Sequence, residues 1–365
     1  MTHRSIPARY APTHQAHARM RGFSLVELMV GMAVGLVLIA SLSLLFAHTS
    51  RSGNELEKSI RQIENGRYAV ELLHEDLMLA GFYGEVPADA LTMSSPSPCA
   101  TSATALGWDA SIPNAPKAPL PVVGLTDSEA SALACLPNRL PGTRAIAVHR
   151  LDTDIVAPAS ISTTDVVYVQ TSRCISDPVT SPFVASPDPS ALILKEKNCT
   201  TLSSARKYVS RIYYIASCNE CGVDTVPTLK MAELRGSAMT VVPLAEGIES
   251  MVLEYGFDTT DPLDPDPATN ASKGLPEVFL TGLSGAVGAR DNDWANVVAM
   301  RIHLLSRTTE RSNGYDDAGK TYALGPISIN GDTSGFKRRV YTSTVRIINV
   351  AGRRESPPPA PTASS

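Results

Sequence analysis

The sequence has few of the residues from which active sites are usually built. Only four of its seven histidines follow residue 22, and they are His48, His74, His149 and His303. No G-x-S-x-G element, phosphate-binding loop, H-E-x-x-H pair or dinucleotide-binding fingerprint occurs. These absences argue against hydrolase, nucleotide-dependent and zinc-protease chemistry. We therefore expect a chain that is not an enzyme and that needs no cofactor.

An excess of basic residues is also lacking. The chain has 32 Lys and Arg against 36 Asp and Glu, a net charge of −4. Its basic residues are concentrated at the start, since residues 1–22 contain four arginines and no acid. The remainder is more acidic than the whole, which argues against nucleic acid as the main partner.

A long apolar run, Phe23–Ala47, follows the basic leader and contains a single charge, Glu27. At about 1.5 Å per residue, a helix of this length crosses a hydrocarbon core about 30 Å thick. The run is longer than the apolar region of about 7–15 residues in an ordinary secretory signal, so we expect it to be retained. Basic residues ahead of it predict insertion with the leader on the cytoplasmic side.

The helix is predicted to continue beyond the membrane, over residues 48–80. Its apolar residues recur at helical spacing and form one stripe: Leu56, Ile60, Ile63, Val70, Leu73, Leu77 and Ala80. Gly81 follows the stripe as a helix C-cap would. Within the apolar run, Gly31 and Gly35 form a G-x-x-x-G pair, which suits close helix packing or local unwinding in an assembly.

Strand-like segments dominate the rest of the chain. Alternating or β-branched runs predict strands at 144–150, 165–170, 208–217, 250–257, 296–306 and 339–350. Residues 87–141 are rich in Pro, Ser and Ala and are expected to be a partly irregular part of the globular domain, which we place at 81–355. The Pro-rich tail 356–365 is predicted to be disordered. The fold class is α+β, with a long N-terminal helix packed on an antiparallel sheet.

Six cysteines follow the apolar run: Cys99, Cys135, Cys174, Cys199, Cys218 and Cys221. An even number in an exported domain favours disulfides, and six cysteines allow 15 connectivities. Proximity along the chain favours Cys99–Cys135, Cys174–Cys199 and Cys218–Cys221. We interpret the C-x-x-C of the last pair as a structural disulfide after a strand, rather than a redox centre or half of a zinc site.

Two charged segments are weaker candidates for binding. Four carboxylates lie close together in the chain and would supply oxygen ligands for Ca²⁺: Asp258, Asp261, Asp264 and Asp266. We favour a solvated turn, because the segment lacks the glycine and terminal glutamate of an EF-hand loop. The basic run Lys337-Arg338-Arg339 precedes a strand and is interpreted as a solvated edge, or a partner contact.

The stretch Arg21-Gly22-Phe23-Ser24-Leu25-Val26-Glu27 resembles the prepilin signal of type IV pilins and of type II secretion pseudopilins. Later stretches extend this resemblance, namely QIENGRYAVELLHEDLMLAGFYG (62–84), AEGIESMVLEYGFD (245–258), WANVVAMRIHLLSRT (294–308) and FKRRVYTSTVRIINV (336–350). Together they are similar to the PilW family of type IV pilus minor pilins.

The resemblance implies a specific processing route. A prepilin peptidase would cut after Gly22, and Phe23 would become an N-methylated terminus. Glu27 would direct the docking of the subunit into a growing filament, through an ion pair with the Phe23 ammonium of a neighbour. Alternatively, Glu27 only neutralises the N-terminus of its own helix. The leader is long for this family, and a start at Met20 instead of Met1 would shorten it.

The implied partners are prepilin peptidase, other minor pilins, the major pilin and the inner-membrane pilus assembly platform. The implied location is the inner membrane, with a single pass and a periplasmic domain, followed by the pilus. Two alternatives remain open. One is a type II secretion pseudopilin, and the other is a membrane-anchored periplasmic binding protein that never enters a filament.

Overall fold

A computed structural model describes residues 22–86, 91–111, 115–162, 165–177, 181–260, 272–282 and 294–355. Contacts divide the chain into two units, one ending at Leu56 and one beginning at Glu57. The first helix, α1 (Leu25–Met78), runs without interruption through the boundary. The predicted helix is therefore present, and it stops two residues earlier than expected. Gly81 adopts a left-handed φ of 71°, as expected of a residue that ends a helix.

The first unit consists of the N-terminal part of α1 with the residues just before it. Its large apolar side chains from Phe23 to Phe46 are all more than half exposed. This is the only described helix long and apolar enough to cross a membrane. Such a surface needs lipid or other helices to cover it.

The second unit is rich in strands. Those in the described residues are β1 (Thr92–Ser94), β2 (Lys117–Pro119), β3 (Val122–Leu125), β4 (Ala145–Leu151), β5 (Tyr168–Thr171), β6 (Phe183–Ser186), β7 (Ala205–Ala216), β8 (Thr228–Arg235), β9 (Ala238–Glu246), β10 (Ile248–Phe257), β11 (Val278–Leu280), β12 (Val297–Arg307), β13 (Thr321–Leu324), β14 (Ile327–Asn330) and β15 (Arg338–Arg346). The described part of this unit also contains two short α-helices, α2 (Asp127–Ser131) and α3 (Ile348–Arg354). The α+β class is confirmed.

Two antiparallel sheets form the body of this unit. One has four strands in the order β11-β10-β12-β15. The other has seven strands, in which β7 pairs with β4, β5 and β8, while β3, β6 and β9 pair with β4, β5 and β8 respectively. A separate hairpin of β13 and β14 and a small parallel pair of β1 and β2 complete the strands.

The C-terminal half of α1 packs against both sheets. Ala69, Leu73 and Leu77 are fully buried in a core that includes Ile212 of the larger sheet and Leu304 of the smaller. Close approach is needed at Gly66, where a Cβ atom would lie 2.3 Å from the Tyr341 ring. Of the predicted apolar stripe, Leu73, Leu77 and Ala80 are fully buried and Val70 packs against the core, whereas the buried Ala69 was not predicted. Leu56 and Ile60, which we expect in the same stripe, are exposed.

The described residues of the segment 87–141 include several short regular elements. Among the residues described there, β1, β2, β3 and α2 are regular elements. Leu120 and Val122 are fully buried in the main core, so this segment supplies part of it. The segment thus combines short regular elements with irregular connections and also contributes to the core.

All six cysteines are disulfide-bonded. The pairs are Cys99–Cys135, Cys174–Cys199 and Cys218–Cys221, which are neighbours along the chain. The last pair lies just after β7, so it follows a strand and does not open a helix. Since disulfides persist in oxidising compartments, three of them fit an exported domain.

Candidate assembly site

The N-terminal segment has a defined hydrogen-bonding pattern at the start of α1. The Glu27 carboxylate accepts a hydrogen bond from the Ser24 backbone N–H at 3.2 Å. The Ser24 hydroxyl accepts one from the Val26 N–H, also at 3.2 Å. Together they satisfy two donors that a helix leaves unpaired at its N-terminus, in the manner of a capping box.

Ser24 is a residue that the sequence reading missed. The spacing Ser24-x-x-Glu27 is itself a capping-box signature and could have indicated this contact. Within the single chain, Glu27 therefore neutralises its own helix terminus. A carboxylate can accept several hydrogen bonds, so this contact leaves capacity for a cation from another subunit.

The residues around this cap are open to the surroundings. Phe23 is 85% exposed. Nothing lies within 4 Å of the positions that Cβ atoms would occupy at Gly22, Gly31 or Gly35. The G-x-x-x-G pair thus presents a smooth helix surface, which permits close approach of another helix.

In the second unit, a buried polar site is centred on Asp76 of α1. Its carboxylate accepts hydrogen bonds from Arg150 Nε at 2.8 Å, Arg211 at 2.9 Å and the Tyr213 hydroxyl at 2.7 Å. Arg211 also pairs with Glu233 of β8 at 2.7 Å. A cavity of about 250 Å³ opens beside this site. Asp76 is nearly fully buried, so the network ties α1 to the larger sheet in a region of low dielectric.

Burial raises the pKa of the Tyr213 hydroxyl, and the negative charge of Asp76 raises it further. Tyr213 therefore stays protonated and donates to Asp76. The two arginines that contact Asp76 are both held in ion pairs with it, and the arrangement fixes the position of the helix. It has the character of a structural clamp.

The four histidines do not come together. His48 is exposed on α1, and His74 contacts the Ser343 hydroxyl at 3.2 Å. His303 is buried and lies 2.8 Å from the Glu254 carboxylate. His149 is buried elsewhere, where it donates to the Leu120 carbonyl across 2.7 Å.

Burial lowers the pKa of His149 to about 4, although the hydrogen bond to Leu120 opposes this shift. An unfolded chain binds a proton at His149 below about pH 6.5, whereas the folded chain does not until about pH 4. Acid should therefore favour unfolding across this interval, by up to about 3 kcal/mol from His149 alone.

We expect His149→Gln to flatten the pH dependence of the free energy of unfolding between pH 7 and pH 4.5. Denaturant titrations of the purified full-length protein at several pH values would measure it. His48→Gln is the matched control, because His48 is exposed, and it should keep the wild-type slope. An unchanged slope in His149→Gln would contradict this account.

The candidate Ca²⁺ site is not available at its first position. Asp258 is buried, and its carboxylate accepts hydrogen bonds from Arg354 Nε and the Gly274 N–H, both at 2.7 Å. A guanidinium thus occupies the place of a cation. Asp261, Asp264 and Asp266 lie outside the described residues, and the described residues contain no cluster suited to a metal ion.

Comparison with known proteins adds two family matches. Residues 212–349 match the family model for type IV pilus-assembly protein W, PilW. Residues 17–43 match the prokaryotic N-terminal methylation motif, which spans Gly22, Phe23 and Glu27. The chain is PilW-like. The resemblance first seen in the sequence is confirmed.

One solved structure is distantly similar to this chain. A type IV-like pilin from Thermus thermophilus is 9% identical in sequence and aligns over 80% of this chain and 97% of its own, with a TM-score of 0.35. Similarity at that level carries no argument about function. No curated protein matches the sequence significantly. The similarity to PilW rests on residues 212–349, and the similarity to the methylation motif rests on residues 17–43.

Proposed function

We propose that this PilW-like chain is a minor subunit of type IV pili, which enters or primes the filament as part of a complex at its tip. The observation that carries the proposal is the methylation motif on an exposed apolar helix, in a chain whose strand domain matches PilW. In this proposal, prepilin peptidase cuts after Gly22 and Phe23 becomes the N-methylated terminus.

Glu27 supplies the register for assembly. Cleavage leaves an ammonium on Phe23, and methylation keeps its charge. In a bundle of staggered helices, this ammonium meets the Glu27 carboxylate of a neighbouring subunit. A misplaced stagger would leave two unpaired charges in lipid, at a cost of about 2.5 kcal/mol or more for each. The pair therefore selects one stagger, although desolvation offsets much of its attraction.

The two units have different roles in this proposal. The apolar part of α1 anchors the subunit in the inner membrane and later packs in the helix bundle, where Gly31 and Gly35 permit close approach. The domain from Glu57 onward lies in the periplasm and contacts other minor pilins and the major pilin at the assembly platform. After assembly it is displayed on the pilus, where adhesion and twitching motility are expected functions of the filament.

N-terminal mass spectrometry of the membrane-extracted protein tests the processing step. We expect a mature chain that begins at N-methyl-Phe23. An intact leader would contradict the proposal, as would a terminus at another residue.

Glu27→Ala tests the assembly step. We expect normal cleavage and stable membrane insertion, with piliation and co-purification with other minor pilins reduced by at least about tenfold, as a loss of about 1.4 kcal/mol or more predicts. Ser24→Ala is the matched control, because it removes the hydroxyl that caps Val26 and retains the carboxylate. Full piliation by Glu27→Ala would favour a membrane-anchored binding protein that does not enter a filament.

A further inference from the structure

A cluster of cations and aromatic rings lies at the base of the segment between β12 and β15. The Phe336 ring has the guanidinium carbon of Arg307 at 4.0 Å from its centroid and that of Arg311 at 5.6 Å. The Tyr315 ring has the ammonium of Lys320 at 5.2 Å and that of Lys337 at 5.9 Å. We define these six residues as the basic-aromatic cluster: Arg307, Arg311, Tyr315, Lys320, Phe336 and Lys337.

Backbone contacts hold the cluster together. The Ser312 N–H donates to the Gly335 carbonyl at 2.8 Å, and the Tyr315 N–H donates to the Ser312 carbonyl at 3.1 Å. Gly335 has a left-handed φ of 81°, which lets the two halves of the segment meet here. The rings and cations are thus built on one folded surface rather than on separate loops.

The cluster has a positive charge balance. Asp317 and Asp332 both pair with Arg338, which lies outside the cluster and is almost fully buried. Residues 307–339 as a whole have six basic and four acidic side chains, and Glu249 of β10 also pairs with Arg307 at 3.7 Å. Arg311 and Lys320 are exposed to solvent. This surface therefore suits an anionic partner.

The cluster also contacts a residue of α1 that lies shortly after the apolar run. Lys58 of α1 donates to the Arg311 carbonyl at 2.9 Å and pairs with the Glu310 carboxylate at 3.4 Å. Lys58 follows Ala47, where the apolar run ends, by only eleven positions. A short stretch of chain therefore tethers the cluster to the apolar run.

From these observations we propose that the basic-aromatic cluster docks on anionic phospholipid head groups while the subunit is anchored in the membrane, before assembly. Basic residues are attracted to anionic lipid surfaces, and aromatic rings favour the membrane interface. Docking would hold the domain against the bilayer until assembly withdraws it. The proposal rests on the membrane anchoring within the proposed function and is independent of processing and of filament entry.

The test uses the full-length protein in lipid nanodiscs. Because all six native cysteines are in disulfides, Asn313→Cys provides a single thiol for a fluorescent label beside the cluster. Nitroxide groups on the lipid head groups quench a label that lies near them. We expect strong quenching in discs containing phosphatidylglycerol, weak quenching in phosphatidylcholine alone, and loss of quenching in high salt.

Charge reversal supplies the matched comparison. Arg311→Glu with Lys320→Glu should lower the ratio of docked to free domain by about fivefold or more for each charge lost. Lys117→Glu with Lys197→Glu changes the net charge equally at exposed lysines outside the cluster and should leave quenching unchanged. Equal effects of both pairs would overturn the proposal.

Other outcomes also overturn it. Equal quenching in the two lipids would exclude recognition of anionic head groups. Quenching that appears only when other minor pilins are added would replace the lipid with an acidic protein surface. If the protein does not remain in the nanodisc, the membrane anchoring itself is wrong. If the protein remains in the nanodisc but its label is not quenched, only the docking is wrong.

Discussion

Replacing Asp76 with alanine is expected to lower the free energy of unfolding by about 3–5 kcal/mol, as breaking a buried ion pair usually does. The substitution leaves Arg150 and Arg211 without the carboxylate that both contact, and only 11% of the Arg150 side chain is exposed. An uncompensated guanidinium in this region keeps its desolvation cost and loses the attraction that offset it. Denaturant titration of the full-length protein in detergent would measure the change.

Three further variants identify the cause of that loss. Tyr213→Phe removes one hydrogen bond to Asp76 and should cost about 1 kcal/mol. Asp154→Ala removes an exposed carboxylate and should stay within about 0.5 kcal/mol of wild type. Adding Arg150→Met to Asp76→Ala should restore part of the stability, because it removes one unpaired charge. If Asp76→Ala and Asp154→Ala have the same free energy of unfolding, the Asp76 network does not stabilise the position of the helix.

The features that the sequence predicted are those encoded by neighbouring residues. The membrane-spanning run, the helix that follows it and the processing motif all depend on composition or spacing within about 60 residues. Six strands were predicted close to their observed positions, because alternation along a strand is a local pattern. The Ser24–Glu27 contact was equally local and could have been found.

The features that the sequence did not predict depend on distant partners. β8 contains Lys230, Glu233 and Arg235 among good helix formers, and β9 contains Pro243. In the fold, Lys230 donates to the Asn219 carbonyl, and Glu233 pairs with Arg211 of β7. These contacts satisfy charges that look unfavourable in a buried strand, so only the tertiary structure accounts for them.

The contacts of Asp76 are a second feature that could not be predicted from neighbouring residues in the sequence. The three partners of Asp76 are distant in the chain, at separations of 74 positions for Arg150, 135 for Arg211 and 137 for Tyr213. No local pattern distinguishes it from the exposed acids Glu71 and Glu75 beside it. Its position in the stretch 62–84 marked a family resemblance, but its role became evident only when strands β4 and β7 were placed against the helix.

Arg338 was interpreted as part of a solvated basic edge or a partner contact, and both interpretations are wrong for this residue. Its side chain is only 5% exposed and contacts Glu249 at 2.7 Å, and Asp317 and Asp332 at 2.9 Å. A β-bulge at Glu249 interrupts the pairing of β10 with β12 and contributes the first of these carboxylates. Burial disfavours the charge on Arg338, but hydrogen bonds to Glu249 and Asp332 outweigh it and raise the pKa.

We expect Arg338→Met to lower the free energy of unfolding at pH 7 by about 3–5 kcal/mol, because it leaves clustered carboxylates without their cation. Arg339→Met is the matched control, since Arg339 is adjacent and exposed, and it should change stability by no more than about 0.5 kcal/mol. Equal free energies of unfolding for the two variants would show that Arg338 does not stabilise the fold by pairing with these carboxylates.

The pH dependence of that loss separates electrostatics from packing. Hydrogen bonds from Ser334 and Arg338 lower the pKa of Asp332 to about 2, so wild-type stability from this group is present above about pH 3.8 and falls as the pH drops toward 2. Without Arg338, Asp332 keeps its hydrogen bonds from Ser334 but loses a cation that also lowers its pKa. The variant should then lose less stability than wild type as the pH falls from about 4 toward 2, so its deficit relative to wild type should shrink over that interval. A deficit that is constant over this interval would assign the loss to packing around the hairpin of β13 and β14.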